Sequence, residues 1–455
     1  MRIVLLSGGS GKRLWPLSND ARSKQFLKVL KNEQGKMESM VQRVWRQLRK
    51  ADLADQAIVA TSSSQVEMLH NQLGAKIPVV VEPERKDTFP AIALAAVYLY
   101  SVERCNLDEV IGVLPVDPFV EDHFFETIKE LERGLDESAA DLALLGVTPT
   151  YPSEKYGYIV PANRMPGDFI HVSKFCEKPS EATAKKLIHQ QALWNCGVFG
   201  FRLEYIIRLL KRKNIPTQYD ALLAYYDQLQ SNSFDYEVVE KASSIIAIPY
   251  SGYWKDLGTW STLTDEMETP VIGNGVISKD VLNSCIVNEL EIPILLNGVE
   301  NIVVAASPDG LLVTEKKSSH KIKEYVSLFQ EGPMYQEYRW GWSRVLEYSK
   351  KGEGEETLME KIHLTAGRNL IDRGRGNQEV WTVIEGEGTL VLNDEFSIAG
   401  IGTSLAIPEG ENFSWEARSD MKLIVIRTGK HLMAHRRKAG SLDGAMNRPV
   451  YSNYS

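Results

Sequence analysis

The sequence predicts an α/β protein, with a mostly parallel sheet in its first part and β-rich modules behind it. Three observations predict this. From Met1 to about Pro270, short and nearly continuous apolar runs alternate with longer amphipathic stretches, the pattern of a parallel sheet covered by helices on both faces. From about Val271 to Glu315 helical periodicity stops, and short β-branched pieces recur between Gly, Asn and Asp turns. From about Tyr335 to Lys430 several short strands are spaced by Gly-containing turns, as in a sandwich or barrel. A chain of 455 residues suits about three domains at roughly 150 residues each. The expected division is 1–270, 271–330 and 331–430, with a tail at 431–455.

The elements follow in order. Strands are expected at Arg2–Leu6, Ala57–Thr61, Pro78–Val81, Val110–Leu114, Leu142–Val147 and Cys196–Phe201, each a short apolar run. Helices are expected at Met37–Arg49, Pro90–Glu103, Phe124–Gly134 and Glu181–Gln190, the second opening on a first-turn proline. The pieces Val276-Ile277, Cys285-Ile286-Val287, Ile302-Val303-Val304 and Leu311-Leu312-Val313 suggest a short β-solenoid-like segment, closed by a connecting helix from the charged stretch Glu315–Lys323. Beyond it, strands are expected at Ile362-His363-Leu364, Val380–Ile384, Gly388–Leu392, Ser404–Ile407 and Lys422–Ile426.

Composition removes several function classes. Lysine and arginine total 52 against 60 acidic residues, a net charge of −8. With the basic residues dispersed, a nucleic-acid-coating role is excluded, and Arg436-Arg437-Lys438 reads as part of a solvated tail. Cys105, Cys176, Cys196 and Cys285 form no C-x-x-C pair, so neither a zinc knuckle nor a disulfide framework is expected. Each reads as a small buried hydrophobe in a reducing compartment. The apolar run before Ser7 is too short for a signal-peptide core, and no apolar window of about 18 residues exists. The expectation is a cytoplasmic protein without membrane or nucleic-acid partners.

The strongest chemical signal follows the first strand: Ser7-Gly8-Gly9-Ser10-Gly11-Lys12-Arg13-Leu14-Trp15-Pro16-Leu17. Glycines there let backbone amides approach a phosphate. A P-loop would need Gly where Leu6 stands and Ser or Thr where Arg13 stands, and a dinucleotide fingerprint would need a small residue at Leu14. The broken fingerprint disfavours a nicotinamide-dependent dehydrogenase.

Gly8 to Ser18 followed by Ser23-Lys24-Gln25-Phe26-Leu27 resembles the signature of sugar-1-phosphate nucleotidyltransferases, in the form of the mannose-1-phosphate guanylyltransferase branch. Six further segments resemble that family in order. They are Glu82–Ile92, Val113–Asp117, Tyr156–Ile159, Phe175–Pro179, Trp194–Phe199 and Trp254–Trp260. The chain departs from the family pattern at Ser23, where Pro is usual, at Val116-Asp117-Pro118 and at Cys196. The resemblance implies a Rossmann-like, GT-A-like catalytic domain that makes GDP-mannose and pyrophosphate from GTP and mannose 1-phosphate, with Mg²⁺ and no covalent intermediate.

That chemistry brings two anionic reactants together, so charge neutralisation and in-line positioning carry most of the catalysis. By resemblance, Gly8, Gly9, Ser10 and Gly11 cradle phosphate, and Arg13 and Lys24 hold the triphosphate. Asp117 and Asp256 hold Mg²⁺ through hard oxygens, with Asp117 just beyond a strand end, where α/β sheets bind ligands. Glu82, Arg85, Asp87 and Thr88 lie near the nucleoside. Gly157, Glu177, Lys178 and Asn195 bind the sugar phosphate. Taken singly, each residue also has a plain reading: a glycine turn, a solvated Glu-Lys pair, an aspartate opening a turn before proline.

The C-terminal β-rich part resembles the cupin domain of bifunctional mannose-6-phosphate isomerase/guanylyltransferases, through Gly341-Trp342, Asn369–Trp381 and Gly386-Glu387-Gly388-Thr389. Where the isomerases carry metal-binding histidines, this chain has Gly374, Arg375, Gly376 and Val380, and Glu379 alone persists. Isomerase activity is therefore expected to be absent. His363 reads as an ordinary strand histidine, and Arg368, Arg373 and Arg375 as a solvated loop or an anion patch. A homodimer stays open, as do two other functions: transfer with another hexose 1-phosphate or nucleotide, and a non-catalytic nucleotide-sugar-binding regulatory paralogue.

Overall fold

The computed structural model describes residues 1–9, 12–19, 21–162, 169–329, 332–352, 354–373, 377–434 and 436. Ser10, Gly11, Gly374, Arg375, Gly376, Arg437 and Lys438, named above, lie outside them. The chain divides into two compact units that interleave in sequence. The first comprises Met1–Gly9, Asn32–Ser63 and Lys76–Leu257, and the second Ser10–Lys31, Ser64–Ala75 and Gly258–Ser455.

The first unit is built on a nine-stranded sheet. Its strands are β1 (Arg2–Ser7), β2 (Ala57–Ser62), β3 (Val79–Glu82), β4 (Val110–Pro115), β5 (Leu142–Val147), β6 (Tyr158–Pro161), β7 (Ile170–Cys176), β8 (Leu193–Arg202) and β9 (Ile245–Tyr250). The spatial order is β3-β2-β1-β4-β8-β5-β9-β7-β6. Strands β3, β2, β1 and β4 are parallel neighbours, as are β5 and β9. The sheet is nevertheless mixed, because β8 runs antiparallel to both β4 and β5, and β7 antiparallel to β9 and β6. The apolar run Cys196–Phe201 carries no sign of that reversal, since a strand covered on both faces is apolar in either direction.

Burial explains the elements. Ile3, Val4 and Leu5 of β1 and every residue of β5 are buried, so apolar area drives their assembly. The helix Thr88–Ser101 is apolar nearly all round and lies inside the core, with Ile92, Ala93, Leu94, Ala95, Val97 and Leu99 almost fully enclosed. It starts at Thr88 rather than Pro90, because the Asp87 side chain accepts from the Thr88 N–H and caps it. Proline at the third helical position still lacks no intrahelical bond. Likewise the first long helix is Met40–Lys50, opened by a Ser39/Gln42 capping box, and Met37–Glu38 forms a short strand instead.

In the second unit, Val271–Ile272, Cys285–Asn288 and Ile302–Ser307 pair in parallel, as do Gly275–Ile277 and Ile294–Leu296. Ile286, Leu296 and Val304 pack between these rungs. Gly310–Glu315 closes them as a hairpin, and a 3-10 helix at Lys316–Lys321 leads into the short helix Ile322–Val326. Two antiparallel sheets follow, one of six strands and one of four. Trp381, Trp415, Met421, Leu423 and Val425 form their shared core. One expectation is overturned: Arg436 is no tail residue. It is 5 % exposed, and its guanidinium bonds Glu360, Gln336 and Ser343.

Candidate active site

The segments bearing the two carboxylates assigned to metal binding pair with each other in the first unit. Strand β4 ends at Pro115, and Asp117 stands one residue before Pro118. Pro118–Val120 pairs antiparallel with Trp254–Asp256, and the Cα of Pro118 lies opposite that of Asp256. A two-strand clip thus puts Asp117 and Asp256 one register position apart, both half-buried. The clip is pinned from below: Gln47 Nε2 donates to Val120 O and to Asp122 Oδ1, both at 3.0 Å, and the Arg43 guanidinium lies 4.3 Å from the centre of the Phe119 ring. Two hard carboxylates suit a divalent cation whose remaining ligands come from phosphate oxygens and water. Among the described residues no group of three or more His, Cys, Asp or Glu forms a complete metal cage. The donor set therefore fits a shared ion better than a structural one.

The residues assigned to the sugar phosphate form one cluster in the same unit. A Cβ on Gly157 would stand 2.6 Å from Phe175 Cζ and closer still to Glu177 Oε2, so only glycine admits the Glu177 carboxylate there. Lys178 Nζ pairs with Glu177 Oε1 at 2.7 Å. Burial would lower the Lys178 ammonium, but the bond and charge of Glu177 outweigh it and hold the ammonium above its usual range. Asn195 N–H donates to Gly157 O at 2.8 Å, and Asn195 Nδ2 donates to Asp235 Oδ1 at 2.7 Å. Asp235 joins the cluster without a sequence signal, an aspartate between Phe234 and Tyr236. Burial, and next the charge of Glu177, push its carboxyl up to about 7.

Tyr156 and two tryptophans border this cluster. The Tyr156 ring lies 4.9 Å from that of Trp194 and 5.4 Å from that of Trp254. Burial, then the charge of Asp256, hold its phenol well above the usual range. The Cys196 thiol, pushed up to about 12 by burial and bonded to Leu145 O at 3.0 Å, is a packing group and no nucleophile.

The residues assigned to the nucleoside form a second cluster. Glu82, at the end of β3, accepts from Tyr226 Oη–H at 2.9 Å, and burial raises its carboxyl to about 7. A Cβ on Gly8 would lie 3.3 Å from Glu82 Oε1, so the loop after β1 passes directly over this carboxyl. Arg85 is exposed and bonds Ser62 Oγ at 3.4 Å. Asp87 caps the core helix, and Thr88 Oγ1 accepts from Phe234 N–H at 2.8 Å. Both side chains therefore already brace the fold.

Arg13 and Lys24 belong to the second unit, in the segment Ser10–Lys31. Arg13 is exposed on a 3-10 turn, Lys12–Leu14, and Lys24 is half-buried on another, Lys24–Phe26. Their segment is anchored within that unit: Trp260 Nε1 donates to Trp15 O at 3.0 Å, and Ser307 Oγ donates to Pro16 O at 2.7 Å.

Residues 2–270 match the family described as Nucleotidyl transferase. The chain belongs to the nucleotidyl transferase family. Members of that family generally use a divalent metal ion, in keeping with the Asp117/Asp256 clip. Similarity extends past the family's own segment. The xanthan biosynthesis protein XanB of Xanthomonas campestris pv. campestris is 29% identical across 94% of this chain and 96% of its own length. The mannose-1-phosphate guanylyltransferase RfbM of Salmonella typhimurium is 27% identical across 94% of each. A Thermus thermophilus crystal structure, described as a mannose-1-phosphate geranyltransferase, is similar with a TM-score of 0.61 and 27% identity, over 72% of this chain and 98% of that one.

Behind this nucleotidyl transferase part, the one carboxylate that persists in the C-terminal sheets is fully engaged. Glu379 is 3 % exposed. Its Oε1 accepts from Arg427 Nε at 3.0 Å and its Oε2 from Trp381 Nε1 at 2.8 Å. Arg427 also pairs with Glu360, which in turn takes Arg436. His363 lies in its strand with its ring stacked on Trp342 at 5.5 Å, and burial lowers its imidazole.

Proposed function

We propose that the chain transfers the guanylyl group of GTP to mannose 1-phosphate, releasing pyrophosphate and forming GDP-mannose. The observation that carries this reading is the clip in which Asp256 pairs with Pro118, the residue that follows Asp117. The choice of GTP and mannose 1-phosphate is supported by the full-length similarity to relatives named for that activity. An Mg²⁺ ion held by the two aspartates would supply charge neutralisation for the phosphates.

The remaining work falls to side chains. Glu177 accepts hydroxyl hydrogens of the mannose ring, and the second Nδ2–H of Asn195 donates to it. Lys178 holds the sugar's phosphate. Gly8 and Gly9 bring the loop backbone against the nucleotide phosphates, while Glu82 and Arg85 flank the nucleoside. Arg13 and Lys24 neutralise the triphosphate. An oxygen of the sugar phosphate attacks the α-phosphorus in line; that P–O bond forms as the bond to the bridging α–β oxygen breaks, and the electron pair leaves on pyrophosphate. No protein nucleophile takes part. A cytoplasmic location is supported by the four cysteines, all free thiols.

The test is pyrophosphate release with Mg²⁺, crossing GTP, ATP, UTP, CTP and dTTP with mannose, glucose, galactose and fucose 1-phosphates. The expected maximum is GTP with mannose 1-phosphate. A maximum elsewhere would move the substrate, and silence in every combination would reject catalysis.

A further inference from the structure

The second unit contains a cavity of about 410 Å³ that none of this chemistry uses. Its floor is the six-stranded sheet, on the face turned away from the core residues Ile362, Leu364 and Leu423. In register, Arg344 stands opposite Lys361, Trp342 opposite His363, and His363 opposite Lys422. Side chains two residues apart on a strand share a face, so three cations and an aromatic row are collected on one surface. The rings of Tyr335, Trp342 and His363 follow one another at 5.8 and 5.5 Å. The rest of the wall comes from Glu289, Glu291 and Pro308, in the loops beside the parallel rungs.

One cation of this surface is left without a carboxylate of its own. Glu289 is taken by Arg22 at 2.9 Å and Glu291 by Lys361 at 3.5 Å, while Lys422 leans on Glu385 at 2.5 Å. The Arg344 side chain makes no hydrogen bond or ion pair among the described residues, although the residue is half-buried. Lys361 and Lys422 expose only 19% and 33% of their side chains. A partly desolvated guanidinium with no carboxylate of its own gains when an anion joins it. A planar guanidinium binds a phosphoryl group through two parallel bonds, and lysines add charge. A bare phosphate ion would fill a fraction of a cavity in the size range of small-molecule sites, about 300–1,000 Å³, and the aromatic row offers the remainder an apolar wall.

We propose that this cavity is a second binding site, separate from the nucleotidyl transferase chemistry, for a phosphorylated small molecule of sugar-phosphate size. Arg344 grips its phosphoryl group with Lys361 and Lys422 alongside, and Trp342 lines the body of the ligand.

The test is calorimetric titration of the full chain with inorganic phosphate, mannose 6-phosphate, fructose 1,6-bisphosphate and GDP. At least one ester should bind about tenfold tighter than inorganic phosphate, and its affinity should fall roughly 10- to 100-fold in Arg344→Ala, with Arg344→Lys intermediate. Lys422→Ala serves as a second variant with the same direction, and kcat and KM for nucleotidyl transfer without added ester should be unchanged in both. The ester whose affinity falls identifies the source, a free sugar phosphate or a nucleotide. The proposal is overturned if no ester binds up to about 10 mM, if inorganic phosphate binds as tightly as every ester, or if no probe loses affinity in either variant.

Discussion

Two carboxylate centres in this chain have opposite fates. In the first unit, Asp117 and Asp256 stand half-buried one register position apart. Between the C-terminal sheets, Glu379 is sealed, one oxygen on Arg427 and the other on Trp381. A carboxylate at a strand end can share a cation with incoming phosphates. A carboxylate under a mostly enclosed guanidinium already has its counter-charge, and opening it would strand both ions in a poor solvent. In the proposed reading the same chemical group is chemistry in one place and scaffold in the other.

The largest effect should come from breaking the first centre. Asp117→Ala or Asp256→Ala should lower turnover by about 10³-fold or more, with thermal unfolding little changed; near-normal turnover would remove the clip from the chemistry. Breaking the second should move stability instead. Arg427→Ala takes from Glu360 and Glu379 a cation they share, and calorimetry should show a loss of about 3–5 kcal/mol. Gly157→Ala tests the neighbouring sugar cluster. Its methyl group would displace the Glu177 carboxylate, so KM for the sugar phosphate should rise on the order of 10- to 100-fold.

A smaller effect is electrostatic. The Asp235 carboxyl is raised from 3.8 to about 7, so between those values the folded protein holds a proton that the unfolded chain has lost. The associated stability is complete below the lower value and is lost as pH rises through the upper one. Urea titrations of the wild type should lose on the order of 2 kcal/mol between about pH 5 and 8 relative to Asp235→Asn; identical pH profiles would contradict the assignment. The smallest expected effect is none: mannose 6-phosphate with Zn²⁺, Mn²⁺ or Co²⁺ should yield no fructose 6-phosphate, and appreciable isomerisation would mean that Glu379 is not sealed.

What the sequence revealed followed from local causes. Apolar runs located β1, β2, β4 and β5 because burial acts on each strand directly. Asp117, Gly157, Glu177 and Asp256 were singled out because their segments keep recognisable spacing, and the structure brings Gly157 against Glu177. Long-range partners left no trace. Nothing near Asp235 says that it will meet Asn195, nothing in Arg436 says that Glu360 waits for it in the core, and the direction of β8 depends on its neighbours alone. The loop bearing Arg13 was legible as a motif, yet its anchoring to Trp260 and Ser307 depends on residues far along the chain.

The most direct measurement is transfer of label from GTP carrying ³²P at the α-phosphorus, incubated with mannose 1-phosphate, Mg²⁺ and the full-length protein. Guanylyl transfer predicts label in GDP-mannose with one pyrophosphate released per product, and loss of both in Asp117→Ala. Label that stays in GTP, or product formation that survives the loss of Asp117, would contradict it.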